Sequence, residues 1–221
     1  MLAPHLKSLS LSAGTILAEP GEPRQMVVFP VSGLISARAV LNSGHELECG
    51  LIGPINVAGL APGLMSGSGV TRHVCLTDLH AWAMHRIPMK EAVHANPRIE
   101  AWATRFGVAQ IHYTVQVGIC NAMHPLHQRV ARWLALATDI VQGPEIRASQ
   151  EALAGSFGVQ RSALNPVLQR LKAESVIDIN RGRLVILDPV RLNQRACECT
   201  SALRRALHVG EEAQAAAEDR F

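Results

Sequence analysis

The chain has 221 residues, 48% of them hydrophobic and 18% charged, with a formal net charge of +3. That is enough apolar material for one large core or two smaller ones, yet no run approaches the roughly 20 apolar residues of a membrane span. No charged-then-apolar leader opens the chain, and the five cysteines (Cys49, Cys75, Cys120, Cys197, Cys199) are odd in number and scattered. The expectation is a cytoplasmic protein with reduced thiols, no disulfide framework and no membrane partner.

Turn signals punctuate residues 1–95 at short intervals: Gly14, Pro20-Gly21, Ser32-Gly33, Asn42-Ser43-Gly44, Gly53-Pro54 and Pro62-Gly63. Between them lie β-prone runs at Thr15–Ala18, Met26–Phe29, Leu34–Leu41, Glu46–Ile52, Arg72–Leu76 and Ala81–Ile87. Short strands at near-regular spacing predict an antiparallel barrel or jelly roll. Asn96-Pro97 opens a long helix over 96–124, because proline is tolerated in a first helical turn. Along it, Ile99, Trp102, Phe106, Ala109, Tyr113, Gln116, Cys120 and Met123 repeat at alternating three and four, a heptad seam. Val108, Ile111, Val115, Ile119 and Ala122 form a second stripe beside it. Two apolar stripes call for two partners, one the β domain and the other the same helix in a second copy, or else for one broad core face inside a monomer. The seam from Ile99 to Met123 is taken as the homodimer interface. Proline should break the helix at His124-Pro125, and an amphipathic helix carrying Val130, Trp133, Leu134, Leu136 and Ala137 should follow, ending at Gly143-Pro144.

From Ser149 to Leu171 the spacing predicts two short helices joined by a tight turn. Ser149 is a good N-cap, Leu153, Ala154 and Phe157 share one face, and Gly158 supplies the exit. The second helix turns Leu164, Val167, Leu168 and Leu171 inward. Following Gln160, its other face offers Arg161, Ser162, Asn165 and Gln169, hydrogen-bonding side chains suited to a DNA major groove. Asn180-Arg181-Gly182 between two β-prone runs predicts a hairpin wing with Arg181 and Arg183 at its tip. From Arg147 to Arg195 eight Lys/Arg face four acids, a local excess of four that exceeds the +3 of the entire chain. Such an excess suits phosphate neutralisation. The expected class is α+β: a double-stranded jelly roll over 1–95, a dimerisation helix over 96–124, a winged helix-turn-helix over 125–195, and a C-terminal helix and tail over 196–221.

In the stretches GTILAEPGEP, HPLHQRVARWLALATDIVQG, SQEALAGSFGVQRSALNPVLQRL and INRGRLVILD the chain resembles the Crp/Fnr family of bacterial transcription regulators. Cys197-Glu198-Cys199-Thr200 is similar to a stretch that ends one subgroup of that family. The resemblance implies a cyclic-nucleotide-binding-like roll, a homodimer on pseudo-palindromic double-stranded DNA, and RNA polymerase as a further partner. It implies that Ser149 and Gln150 approach phosphates and that Arg161, Ser162, Asn165 and Pro166 face bases. The best-known members carry glutamate and arginine where this chain has Ser162 and Pro166, so their DNA half-sites do not transfer.

The sensor half departs further. The family's cyclic-nucleotide pocket uses a Gly-Glu pair and an Arg-Ser pair, whereas here Gly59 precedes Leu60 and Arg72 stands between Thr71 and His73. Arg72 remains the candidate effector contact, but cyclic AMP is not expected. No cysteine precedes Cys49, which argues against the iron–sulfur cluster of the oxygen-sensing branch. A CxC pair alone is a poor metal site, and His124-x-x-His127 reads as a solvated pair. No metal and no obligatory cofactor are therefore expected. Three other readings stay open: a redox, haem or other small-ligand sensor of the same architecture, a cupin-like enzyme, and an interaction module without DNA binding. The cupin reading lacks an H-x-H motif in the strands, and no enzymatic activity is expected.

Overall fold

A computed structural model of the protein describes residues 2–64 and 67–207. Its N-terminal strands are β1 (Lys7–Leu11), β2 (Ile16–Ala18), β3 (Met26–Ser32), β4 (Ile35–Val40), β5 (Glu46–Ile52), β6 (Arg72–Cys75) and β7 (Leu79–His85). They form two antiparallel sheets, ordered β1-β7-β3 and β2-β6-β4-β5. The inward residues Val28, Ile35, Ala37, Ile52, Leu79, Ala81 and Ala83 pack between them, which makes the unit a jelly roll. The strand runs read from sequence recur here, with β1 added. Its Lys-Ser-Leu-Ser-Leu alternation is a strand signal of the same kind, and Leu9 lies opposite Ala81 of β7.

Three helices accompany the roll: α1 (Leu60–Leu64) between β5 and β6, then α2 (Arg86–Ala95) and α3 (Pro97–Met123) after β7. The Asn96 carboxamide accepts from the Arg98 amide at 2.9 Å, capping α3 one residue before its proline. At a 1.5 Å rise, its 27 residues span about 40 Å. The helix carries two apolar stripes, but the chain itself covers the one taken as the dimer seam. Ala109, Tyr113 and Cys120 of the predicted dimer seam are buried within the chain. Ile99, Trp102 and Phe106 pack against Val27, Leu60, Met84 and Met89, and Gln116 reaches the Cys199 sulfur. Of the seam only Met123, at 75% exposure, stands wholly clear. The second stripe, Val108, Ile111, Val115 and Ile119, faces outward. Periodicity reveals that a helix has two faces but not which one its own domain covers; here the chain's own cores take the aromatic one.

Beyond Pro125 come α4 (Leu126–Val141), β8 (Glu145–Arg147), α5 (Gln150–Phe157), α6 (Arg161–Ala173), β9 (Ile177–Asn180), β10 (Arg183–Ile186), α7 (Pro189–Arg195) and α8 (Cys199–Leu207). The three strands form a sheet in the order β8-β10-β9. α4 is buried almost all round: Trp133, Leu134, Leu136 and Ile140 meet Phe157, Leu164, Leu168 and Ile186 in one core. That core continues into the roll through Leu34, Leu51 and Leu76. The predicted C-terminal tail lies, from residue 208 on, outside the described residues.

Candidate nucleic-acid interface

The helix-turn-helix is built by local chemistry at three points. Ser149 Oγ accepts from the Ala152 amide at 3.1 Å and starts α5. Gly158 leaves it at φ +63°, and a Cβ there would come within 3.0 Å of the Glu46 carbonyl oxygen. Only glycine meets both demands at little cost. Leu164, Leu168 and Leu171 then anchor α6 to the core. These anchors leave Gln160, Arg161, Ser162, Asn165 and Gln169 exposed together on the opposite face, with Pro166 among them. Arg161 Nε donates to Gln150 Oε1 at 3.2 Å, so a residue of the first helix steadies the guanidinium of the second.

Much of the positive charge counted in the sequence is engaged. Arg170 and Arg195 both pair with Glu174, at 3.1 and 2.9 Å, and Lys172 pairs with Asp178 at 2.9 Å. In the wing, Arg181 and Gly182 take φ values of +43° and +81°, the left-handed pair of a two-residue hairpin turn. Arg181 therefore occupies the tip. Arg183 does not: it begins β10 opposite Asn180, and its guanidinium lies 2.6 Å from Glu145. Arg147 reaches the same carboxylate at 2.7 Å. The two arginines hold the Glu145 carboxyl below its usual range. The unforeseen strand β8 supplies both Glu145 and Arg147, which is why Arg183 looks free in the sequence.

In the roll, a cavity of about 350 Å³ is lined by Leu9, Leu17, Val28, Ala58 and Gly59, with Arg24 and His73 as basic groups. Arg72 is not among its walls. It is held instead by Glu19 at 2.8 Å and by a second carboxylate, Glu46. The buried guanidinium at the cavity is Arg24, which donates to the carbonyls of Glu19 and Thr71. A lone arginine between Pro23 and Gln25 carries no sequence signal, so reasoning from sequence misses it. Burial, and secondarily Arg24, pushes His73 down to about 4, leaving it neutral near pH 7.

The roll also meets the winged helix-turn-helix, the expected reading head, directly. Trp133 Nε1 of α4 donates to Glu48 Oε1 at 2.7 Å, and Ser36 Oγ of β4 donates to Glu48 Oε2 at 2.6 Å. Arg38, also on β4, donates to the Ala152 carbonyl of α5 at 3.0 Å. Elsewhere, Cys120 and His124 from the end of α3 come together with Cys197 and Cys199, all four ligand atoms lying within 4.8 Å of one another. The CxC pair is thus not by itself. His127 is exposed and lines a different groove with Gln128 and Arg170, so the two histidines do not form a pair.

Residues 128–195 match the family model of the Crp-like helix-turn-helix domain, and they follow a jelly roll and a long helix. This segment is a Crp-like helix-turn-helix domain. The chain is 21% identical over 186 residues to the global nitrogen regulator of Nostoc sp. strain PCC 7120, covering 80% of this chain and 83% of that one. Its fold is similar to that of FixK2 from Bradyrhizobium japonicum, with a TM-score of 0.75 at 14% identity, covering 87% and 98% of the two chains. A CRP/FNR-family regulator from Thermus thermophilus aligns with a TM-score of 0.63 at 20% identity, covering 86% and 98%.

The contact at Glu48 has a pH signature. Burial raises the Glu48 carboxyl above the ordinary glutamate range, while hydrogen bonds from Ser36, Ser156 and Trp133 and the charge of Arg38 pull the other way. The folded state therefore holds this proton more tightly than the unfolded chain. Its contribution is full below the ordinary glutamate value and is lost as pH rises through the raised one. Urea unfolding of the wild type and Glu48→Gln, from about pH 4 to about pH 8, should show the wild type losing stability relative to the variant as pH rises. A pH-independent difference between the two would contradict this assignment.

Proposed function

We propose that this chain is a transcription regulator of the Crp/Fnr type, and that it binds a pseudo-palindromic operator as a homodimer, with α6 in the major groove and the wing on the flanking backbone. The observation that carries the reading is the outer face of α6. Arg161, Ser162, Asn165 and Gln169 are exposed there, while the neighbouring cations Arg170, Lys172 and Arg195 are engaged in ion pairs. Arg161 presents a planar fork suited to guanine, steadied from behind by Gln150. Ser149 and Gln150 at the start of α5, Gln160 before α6 and Arg181 at the wing tip supply the phosphate contacts. Arg183 contributes less than Arg181, because Glu145 already neutralises it. RNA polymerase enters as the partner of a transcription regulator, and DNA binding makes the cytoplasm its place of action.

The dimer rests on the exposed stripe of α3. Val108, Ile111, Val115, Ile119 and Met123 recur at steps of three or four and stand free over the outward side of the helix. A second copy covering this stripe buries large side chains at roughly 1.5–3 kcal/mol each. It also gives the two-fold symmetry that half-sites about one helical turn apart require. In the roll, cyclic AMP is a poor occupant: Leu60 offers no carboxylate to a ribose, and Arg72 is held by two acids. The cavity beside Arg24 suits a small and largely apolar effector better.

Two measurements test the reading. In a binding titration over a randomised site at two salt concentrations, Arg161→Ala should lose preference at one base position per half-site, a loss of roughly 1–3 kcal/mol of discrimination. Arg181→Ala should weaken all sequences alike and lower the salt slope by about one. An Arg161→Ala protein that keeps its full sequence preference would sink the assignment of the base reader. In sedimentation at micromolar concentration, the wild type should run as a dimer and Ile111→Glu as a monomer. A monomeric wild type would rule out the α3 interface.

A further inference from the structure

We propose that Cys120, His124, Cys197 and Cys199 form a structural zinc site that clamps the end of α3 to the segment following the wing. Cys120 and His124 stand at i and i+4 on the last turn and C-cap of α3. Cys197 lies between α7 and α8, and Cys199 is the first residue of α8. The Cys120 and Cys197 sulfurs are 3.4 Å apart, and the Cys199 sulfur is 3.6 Å from His124 Nδ1. Tetrahedral zinc with Zn–S bonds of about 2.3 Å sets sulfurs about 3.8 Å apart, so a small adjustment admits the ion. A polynuclear iron–sulfur cluster needs ligands spread around a larger body than four atoms within 4.8 Å of one another can enclose.

The surroundings fit a metal centre rather than a stray group of thiols. Glu198 Oε1 lies 3.8 Å from His124 Nε2, the ring nitrogen turned away from the sulfurs, as in a carboxylate–histidine–zinc arrangement. Gln116 Nε2 lies 3.0 Å from the Cys199 sulfur and can donate to a thiolate there. Zinc with three thiolates and a neutral imidazole carries one negative charge. Arg129 and Arg132 of α4 act electrostatically on Cys120. Their Nε atoms are buried with no hydrogen-bond partner among the described residues. A Cys120–Cys197 disulfide would use two of the four ligands and leave the placing of Cys199, His124 and Glu198 without purpose. Zinc binding breaks three S–H bonds, forms three Zn–S bonds and one Zn–N bond, and releases three protons to solvent. Nothing is oxidised or reduced.

The test uses the full chain purified under reducing conditions from zinc-supplemented cells, and it needs no DNA. One equivalent of zinc per chain should survive dialysis against metal-free buffer. Replacement by cobalt(II) should give the visible bands of a tetrahedral ion and intense thiolate-to-cobalt charge transfer. Glu198→Gln, a change at an exposed residue, should weaken zinc binding by about 10–100-fold. Cys199→Ser should weaken it further, and Cys49→Ser should leave it unchanged. Should Cys199→Ser fail to fold, differential alkylation of the wild type reads the same site: chelation should make Cys120, Cys197 and Cys199 reactive together. Reduced protein without zinc, cobalt spectra lacking thiolate bands, or a Cys120–Cys197 disulfide in zinc-free protein would each overturn the proposal.

Discussion

A carboxyl group taken out of water between one sheet and two helices is costly unless its oxygens are hydrogen-bonded, and Glu48 is placed under that constraint. Trp133 satisfies one of its oxygens and Ser36 the other. One partner belongs to the jelly roll and the other to the helix that carries the reading head, so neither part satisfies Glu48 by itself. Around it, Arg38 holds the carbonyl of Ala152 in α5, and Gly158 lets the turn of the helix-turn-helix approach the Glu46 backbone. The apolar core follows the same path, from Leu34 and Leu51 of the roll to Trp133 and Phe157 of the head. Arg161, Ser162, Asn165 and Gln169 of α6 stay exposed in this arrangement, so docking leaves the proposed reading surface open.

The reading head is legible in the sequence because its chemistry is local. A serine N-cap, a glycine exit, inward leucines at helical spacing and an Arg-Gly turn each act within a few residues, and each is found in its expected place. What sequence does not reveal depends on residues distant along the chain. Arg183 reads as a free wing-tip cation until β8 brings Glu145 beside it. Arg72 reads as an effector contact until Glu19 and Glu46 claim it. Cys197 and Cys199 read as an ordinary CxC pair until the end of α3 delivers Cys120 and His124. The stripes of α3 teach the same lesson. Trp102, Phe106 and Tyr113 look like an ideal seam by spacing, but bulk of that kind is also what the chain's own cores require.

In the proposed mechanism, a roll effector alters operator affinity only to the extent that it binds the docked and undocked arrangements differently. The contact at Glu48 is the natural place for that difference to be felt. It is buried, it spans the two parts, and its protonation depends on how well they fit. Docking also limits the freedom of the reading head before DNA arrives, so less ordering remains to be done on binding. Loosening the contact should therefore lower operator affinity even though none of its residues touches DNA.

A double-mutant cycle on operator affinity tests this coupling most directly, using Glu48→Gln, Trp133→Phe and the two combined. Trp133→Phe keeps the aromatic packing against Phe157 but removes the indole N–H that Glu48 accepts. The account predicts that Trp133→Phe weakens operator binding several-fold. It predicts further that combining the substitutions changes affinity by clearly less than the sum of the single effects, a coupling of roughly 0.5–3 kcal/mol for residues in direct contact. Single variants that bind the operator as tightly as the wild type, or effects that simply add, would contradict it.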